Sequence, residues 1–366
     1  MDTRIFLSKS ISDISLENIT SEEKNVLDFE KSLEKYLGKK NCVAALNSGT
    51  SAIHLSLILS GVSHGDEVLC QSFTYVASAN PTIYQGAIPI FIDSEKDTWN
   101  MCPKYLEKAI LDRISKGKKP KAIIFVHLYG MPAKIEEISL IAKKYNIKLI
   151  EDAAEALGSE FKGKKCGTFG DYGIISFNNN KIVTTFGGGV LICKNEEDKQ
   201  KAIYLSKQAR DKVAHYQHSE IGYNYRISNV LAGIGVKQMK FLEKHISRRR
   251  NVNFFYKKFF KELKGFKLLE ELNKNRLSNH WLSCVVIDEK LTGFNREDLR
   301  MFLLKNNIES RPFWKPMHLQ PVFKEFPFYG EMISENLFNN GLCLPSGSDL
   351  EITDLERITS SIKKLL

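Results

Sequence analysis

Between about residues 40 and 195, short apolar runs alternate with stretches of helical period. Residues 43–46, 67–70, 88–92, 122–127 and 147–150 read as strands, because each is brief, apolar and free of strict polar alternation. Ile53 and Leu57 stand four apart in a helix expected over 51–60, and Ile138, Ile141 and Ala142 share one side of a helix over 135–145. Strands that are apolar on both faces and separated by helices are what a mostly parallel sheet, covered on both sides, requires. The pattern predicts a doubly wound α/β unit.

After Asp171 the rhythm changes. Residues 172–177 and 189–193 read as strands flanking a polar, Gly-rich turn. A long helical pattern over about 230–260 leads to a second part, with a strand at 281–287, a helix at 296–306, a short strand at 308–311 and a closing helix at 352–366. The fold class expected is α/β, with a large domain over 1–235 and a smaller C-terminal domain over 236–366 entered through the long helix. No internal repeat or low-complexity linker interrupts it.

A chain of 366 residues has room for about two domains and a real cleft. With 43% hydrophobic and 26% charged residues, disordered and collagenous classes drop out. No apolar run approaches the roughly 18 residues of a membrane span. The start, Met1-Asp2-Thr3-Arg4-Ile5-Phe6, lacks the basic-then-apolar layout of a secretory signal, so a cytoplasmic address is expected. The seven cysteines form no C-x-x-C pair, and several sit inside apolar runs; they read as buried free thiols rather than a disulfide framework or a metal site. The net charge of +10 suits an anionic partner. Most Lys and Arg alternate with acids, and the densest run, Arg248-Arg249-Arg250, lies in the long helix. Without a nucleic-acid motif or a membrane segment, a small anionic substrate is the expectation.

Three segments carry candidate chemistry. Asn47-Ser48-Gly49-Thr50-Ser51 joins a strand to a helix, where free N–H groups and the helix dipole bind phosphate; the same residues also make an ordinary helix cap. Ile150-Glu151-Asp152-Ala153-Ala154-Glu155 places acids at the end of a central strand, in the crevice where open α/β sheets bind ligands, or simply caps a helix. Ser176-Phe177-Asn178-Asn179-Asn180-Lys181, followed by Gly187-Gly188-Gly189, sets a lysine among uncharged neighbours: a nucleophile or a solvated hairpin tip. Their order decides among these. An anion cradle, a strand-end carboxylate and a later lysine are the parts of a pyridoxal phosphate site, which needs a phosphate holder, a partner for the pyridine nitrogen and a Schiff-base lysine.

On these residues the chain resembles the nucleotide-sugar aminotransferases of the DegT/StrS family, which are fold type I pyridoxal phosphate enzymes. The resemblance extends through Phe73-Thr74-Tyr75, Gly167-Thr168-Phe169-Gly170-Asp171, Gly222-Tyr223-Asn224-Tyr225-Arg226 and Lys315-Pro316-Met317-His318. It implies a large domain with a mostly parallel sheet and a small α+β domain. A minority of the family are dehydratases with histidine in place of the lysine; Lys181 favours transamination.

Carried over residue by residue, the resemblance implies that Lys181 is the Schiff-base lysine and Asp152 the partner of the pyridinium nitrogen. Gly49, Thr50, Ser51 and Ser176 hold the phosphate, and Tyr75 stacks on the ring. Asn224 reaches the cofactor of a partner subunit, which implies a homodimer with shared sites. Glu155 stands beside the cofactor where histidine or glutamine is common, and similar glutamates occur in the branch acting on UDP-linked 4-keto sugars. Arg226, Trp314 and His318 are the expected substrate residues, with L-glutamate as amino donor and a UDP-linked 4-keto-6-deoxy-N-acetylhexosamine as acceptor. GDP- or dTDP-linked sugars, a free amino acid clamped by Arg226 or Arg311, and a non-catalytic regulatory protein remain as alternatives. The stretch 10–23 is shorter than the lead usual in the family.

Overall fold

The computed structural model describes residues 4–8, 23–38 and 40–366. The stretch singled out at 10–23 lies, apart from Glu23, outside the described residues. Strands β1 (Cys42–Leu46), β2 (Glu67–Gln71), β3 (Ile88–Ile92), β4 (Ala122–Val126) and β5 (Lys148–Asp152) follow one another with helical segments between them. A ribbon of β6 (Glu160–Phe161) and β7 (Lys164–Lys165) precedes β8 (Tyr172–Ser176) and β9 (Gly189–Cys193). Later come β10 (Phe266–Leu268), β11 (Arg276–Leu277), β12 (Ser283–Ile287), β13 (Arg311–Pro312), β14 (Phe328–Tyr329) and β15 (Gly341–Leu344).

The main sheet has eight strands in the order β1-β9-β8-β5-β4-β2-β3-β14. Only β9 runs against its neighbours; every other pairing is parallel. Strands β2, β4, β8 and β9 are buried along their whole length, which is why their sequences lack alternation. Because β1, β5 and β8 point the same way, their C-terminal ends share one edge of the sheet. That edge carries the site.

A second, four-stranded sheet, β10-β12-β15-β13, is antiparallel throughout. Its core packs Val285 and Ile287 against Leu299 and Leu303 of the helix Arg296–Lys305 and Ile358 and Ile362 of the helix Ile352–Leu365. The expected helix over 230–260 is two helices, Asn229–Gln238 and Leu242–Lys261, joined by a 3-10 turn at Met239–Phe241. The backbone stays right-handed through Met239 (φ −58, ψ −25), so the helix tightens there without breaking. The strand expected at 281–287 begins at Ser283, because Trp281 Nε1 turns aside to donate to the Asn180 carbonyl (2.9 Å).

The two-residue β14 returns from the late part of the chain to the edge of the main sheet beside β3. Asp93, just past β3, fixes this return: its carboxylate accepts from the N–H groups of Glu331 and Ile333 (both 2.9 Å) and of Ser334 (3.0 Å). These donors open the helix Ile333–Asn340, so one buried acid caps a helix and ties it to the large sheet. Among the described residues, no helix is long and apolar enough to cross a membrane.

Candidate active site

A cavity of about 820 Å³ opens where the C-terminal edge of the main sheet meets the smaller sheet. Asp152, the last residue of β5, projects into it. Its Oδ2 accepts from Ser78 Oγ (2.6 Å) and its Oδ1 from the Ala154 N–H (3.1 Å). Burial raises this carboxyl above the ordinary carboxylate range, while those two donors and the more distant Lys181 charge pull it down. Such a group favours a cationic partner that restores its ionised form.

Lys181 sits on a turn in which its N–H donates to the Asn178 carbonyl (3.0 Å), four residues after the buried Phe177, whose ring meets Phe29 edge-on at 5.0 Å. Its side chain is 12% exposed, with Nζ 3.3 Å from Glu155 Oε1 and 4.4 Å from the centroid of the Trp281 ring. Burial pushes the Glu155 carboxyl up to about 7, with Lys181 and the Tyr129 N–H on Oε2 (2.8 Å) opposing the shift. Tyr129 holds a left-handed backbone (φ 54), uncommon for a bulky residue, and that conformation aims its N–H at the carboxylate.

The phosphate candidates occupy the start of the helix Gly49–Leu59. Ser48 caps it, accepting from the Ser51 N–H at 3.0 Å. Gly49, Thr50 and Ser176 line the cavity. Ser51 does not: it is buried, and its hydroxyl donates to Asn47 Oδ1 (2.6 Å). The three glycines at 187–189 serve different ends. Gly187 faces open space, whereas a Cβ at Gly189 would lie 2.4 Å from the Gly49 nitrogen, so that glycine is needed for β9 to pass against the phosphate turn.

The same cavity has an aromatic wall. Trp314 lies 5.1 Å from Tyr129, 5.5 Å from Tyr75 and 6.3 Å from Trp281, measured between ring centroids. Tyr75 is 56% exposed. Phe6, Leu7 and Ser8 close the wall from the N-terminal side, and Glu309 and Arg311, paired at 2.6 Å, stand near them.

Besides Ser51, three expected residues are not brought to the cavity. Arg226 is spent on Glu30 (2.6 Å) and the Ala45 carbonyl (3.1 Å). His318 is half-buried, its ring held by Ser72 Oγ (2.6 Å) and Glu335 (3.2 Å) and stacked on Phe328 at 3.7 Å. Asn224 is exposed, its carbonyl accepting from Asn47 Nδ2 (3.0 Å). Sequence reasoning missed Ser78, Tyr129 and Trp281. Ser78 stands near the quoted Phe73-Thr74-Tyr75, and Trp281 was read as the first residue of a strand; Tyr129 carried no local signal. Glu151, next to Asp152, is structural: it accepts from the N–H groups of Gly167 (2.6 Å), Phe169 (2.6 Å) and Gly170 (3.0 Å), which explains the 167–171 motif. Glu151, His127 and Cys166 are the one group among the described residues close enough to share a metal, and Glu151 and His127 are already bonded to each other at 2.8 Å.

The donor set fits pyridoxal phosphate. A lysine and a buried strand-end carboxylate face one cavity together with a helix start, and Gly187 leaves space free of side chain beside them.

Comparison with known proteins gives the same answer independently. The model of the DegT/DnrJ/EryC1/StrS aminotransferase family matches residues 8–363. The putative pyridoxal phosphate-dependent aminotransferase EpsN of Bacillus subtilis is 47% identical over 337 residues, covering 91% of this chain and 86% of that protein. A GDP-perosamine synthase of Escherichia coli O157:H7 is 37% identical, covering 87% and 84%. A UDP-4-amino-4,6-dideoxy-N-acetyl-beta-L-altrosamine transaminase of Campylobacter jejuni is 32% identical, covering 98% and 93%. The crystal structure of a DegT DnrJ EryC1 StrS aminotransferase from Brucella abortus superposes with a TM-score of 0.87 at 29% identity, covering 93% of this chain and 90% of that one.

Proposed function

Because the chain belongs to the DegT/DnrJ/EryC1/StrS aminotransferase family, we propose that it moves an amino group from L-glutamate to carbon 4 of a UDP-linked 4-keto-6-deoxy-N-acetylhexosamine, for glycan biosynthesis. As a family member it is a pyridoxal phosphate-dependent sugar aminotransferase; the donor, the nucleotide and the sugar are the proposal. The observation that carries it is the convergence of Lys181, Glu155 and Asp152 on one cavity faced by Trp314 and Tyr75.

Pyridoxal phosphate, when bound, supplies the carbonyl that carries the amino group and a ring that accepts electrons. Lys181 would hold its aldehyde carbon, Gly49, Thr50 and Ser176 its phosphate, and Asp152 its ring nitrogen. Once free, the Lys181 Nζ takes the proton from the α-carbon of the donor and returns one to carbon 4 of the acceptor. Glu155, 3.3 Å from that nitrogen, keeps the amine in reach and balances its charge. Asp152, cut off from water, holds opposite charge at the ring more strongly than a solvated acid does. Tyr75 would stack on the cofactor ring, and Trp314 beside it offers a flat apolar face to a sugar ring.

The UDP arm rests on Glu155 and on the stretch 311–318, both similar to the branch acting on UDP-linked sugars, and on the Campylobacter relative named for such a compound. The GDP arm is favoured by the higher identity of the perosamine synthase. A cytoplasmic homodimer belongs to the same reading; Ile221 (86% exposed) and Tyr216 (79%), close to Asn224, support a covered face there. Glutamate with UDP-, GDP- and dTDP-linked 4-keto sugars in turn, followed by product mass, tests it. Highest kcat/KM with the UDP sugar supports the proposal; preference for the GDP sugar replaces it with the second arm.

A further inference from the structure

Arg249 is one of the largest fully buried side chains in the protein, and nothing in the proposed reaction uses it. It lies in the helix Leu242–Lys261. Burial pushes its pKa down to about 10, with Asp349 opposing, so it is charged at neutral pH. Its hydrogen bonds go to neutral oxygens. Nη1 donates to the carbonyls of Trp281 and Ser346 (3.0 Å to the latter), and Nη2 donates to Ser8 Oγ (3.0 Å). Among the described residues its hydrogen bonds go only to carbonyls and a hydroxyl, which makes a buried cation costly to keep, and its Nε has no hydrogen-bond partner among them.

Those contacts form part of a closed ring. Ser8 Oγ, which receives the Arg249 N–H, donates its own proton to the Asn180 carbonyl (3.2 Å). Trp281, whose carbonyl takes the other Arg249 N–H, donates from Nε1 to that same Asn180 carbonyl (2.9 Å). Both lone pairs of the carbonyl just before Lys181 are therefore engaged. The indole so pinned is the one whose face lies 4.4 Å from Lys181 Nζ. The N-terminal segment enters the ring from its own anchors, an Ile5 bridge to Ile308 and a Ser346 N–H donating to the Leu7 carbonyl (2.7 Å).

We propose that Arg249 and Ser8 are positioning residues for Lys181: through the ring Arg249–Ser8–Asn180–Trp281 they fix the peptide that carries the lysine and the aromatic face its amine rests on. The inference rests on Lys181 being the amine that captures pyridoxal phosphate. It assigns the N-terminal segment a part in the site, although Ser8 is distant in sequence from every residue the chemistry uses.

The test reads Lys181 directly in the full-length chain stripped of cofactor. Capture of added pyridoxal phosphate is followed by absorbance, and acylation of Lys181 by acetic anhydride by mass spectrometry. Replacing Arg249 endangers folding, so the variants are Ser8→Ala, Ser8→Thr, Trp281→Phe and the Ser8→Ala/Trp281→Phe pair. Each loss of one hydrogen bond slows capture about fivefold, changes the acylation rate and moves the pH midpoint of the bound cofactor's absorbance. Ser8→Thr, which keeps the hydroxyl, retains wild-type values. The double variant is no slower than the slower single one, because opening the ring at either bond already lets the Asn180 peptide pivot on the one that remains. Wild-type rates and midpoints in Ser8→Ala and Trp281→Phe, or losses that simply add, overturn the proposal. A wild-type chain that captures no aldehyde overturns the functional reading instead, and the acylation rates still decide the ring.

Discussion

The carboxylate of Glu155 lies 3.3 Å from the amine of Lys181, and both side chains are almost closed to solvent. An acid in that position is held up to about 7 by burial, against an ordinary value of 4.5. Between these values the folded state keeps a proton that the unfolded state has lost, so the folded state loses relative stability as pH rises through that window. In the cofactor-free protein, Glu155→Gln should gain on the parent chain as pH goes from 5 to 8. Urea unfolding at both pH values checks this; a constant gap between the two proteins contradicts it.

Asp152 answers to a different measurement. Its carboxyl is buried and tied to Ser78 and Ala154, so Asp152→Asn keeps the shape and removes the charge. Loss of a preoriented charge at a reacting centre costs about a hundredfold in rate. We expect weaker retention of pyridoxal phosphate and slowing of both half-reactions by about that factor. Unchanged retention and rate would remove Asp152 from the reaction.

Arg226 is a structural cation on this account. Its pair with Glu30 is almost fully enclosed, with side chains 10% and 2% exposed. Arg226→Met leaves the buried Glu30 with the Ala45 N–H (2.8 Å) but without its cation, and should destabilise the chain by about 3 kcal/mol. The KM for L-glutamate should stay within about twofold, since a merely structural arginine makes no substrate contact. A large rise in that KM with little loss of stability would make Arg226 the carboxylate clamp of an enzyme for free amino acids.

Trp314 should matter to only one substrate. Its ring packs against both Tyr75 and Tyr129 on the cavity wall. Trp314→Ala should raise the KM for the nucleotide sugar about tenfold, the value of one good aromatic contact. The half-reaction with glutamate should keep its rate. Equal damage to both half-reactions would point to packing alone.

The parts of this protein that sequence made legible are local ones. The strands at 43–46, 88–92 and 122–127 and the turns holding Gly49, Asp152 and Lys181 are each written in a few consecutive residues, and the structure forms them within a residue or two. The two-residue β14 was invisible because its pairing depends on Asp93, far away in sequence. Trp281 looked like the opening of a strand, yet its indole nitrogen turns back to Asn180. His318 shows the opposite failure: the motif around it is real, but Ser72 and Glu335 take both ring nitrogens and hold it away from the cavity. Side chains that are placed by distant partners leave no trace at their own position.

The most direct measurement is to load the purified chain with pyridoxal phosphate, fix the adduct with borohydride and locate it by peptide mass spectrometry, beside a Lys181→Ala control of intact fold. The account predicts one modified residue, Lys181, in the parent chain, with neither adduct nor turnover in the control. An adduct on another lysine, or full turnover without the amine at 181, would contradict it.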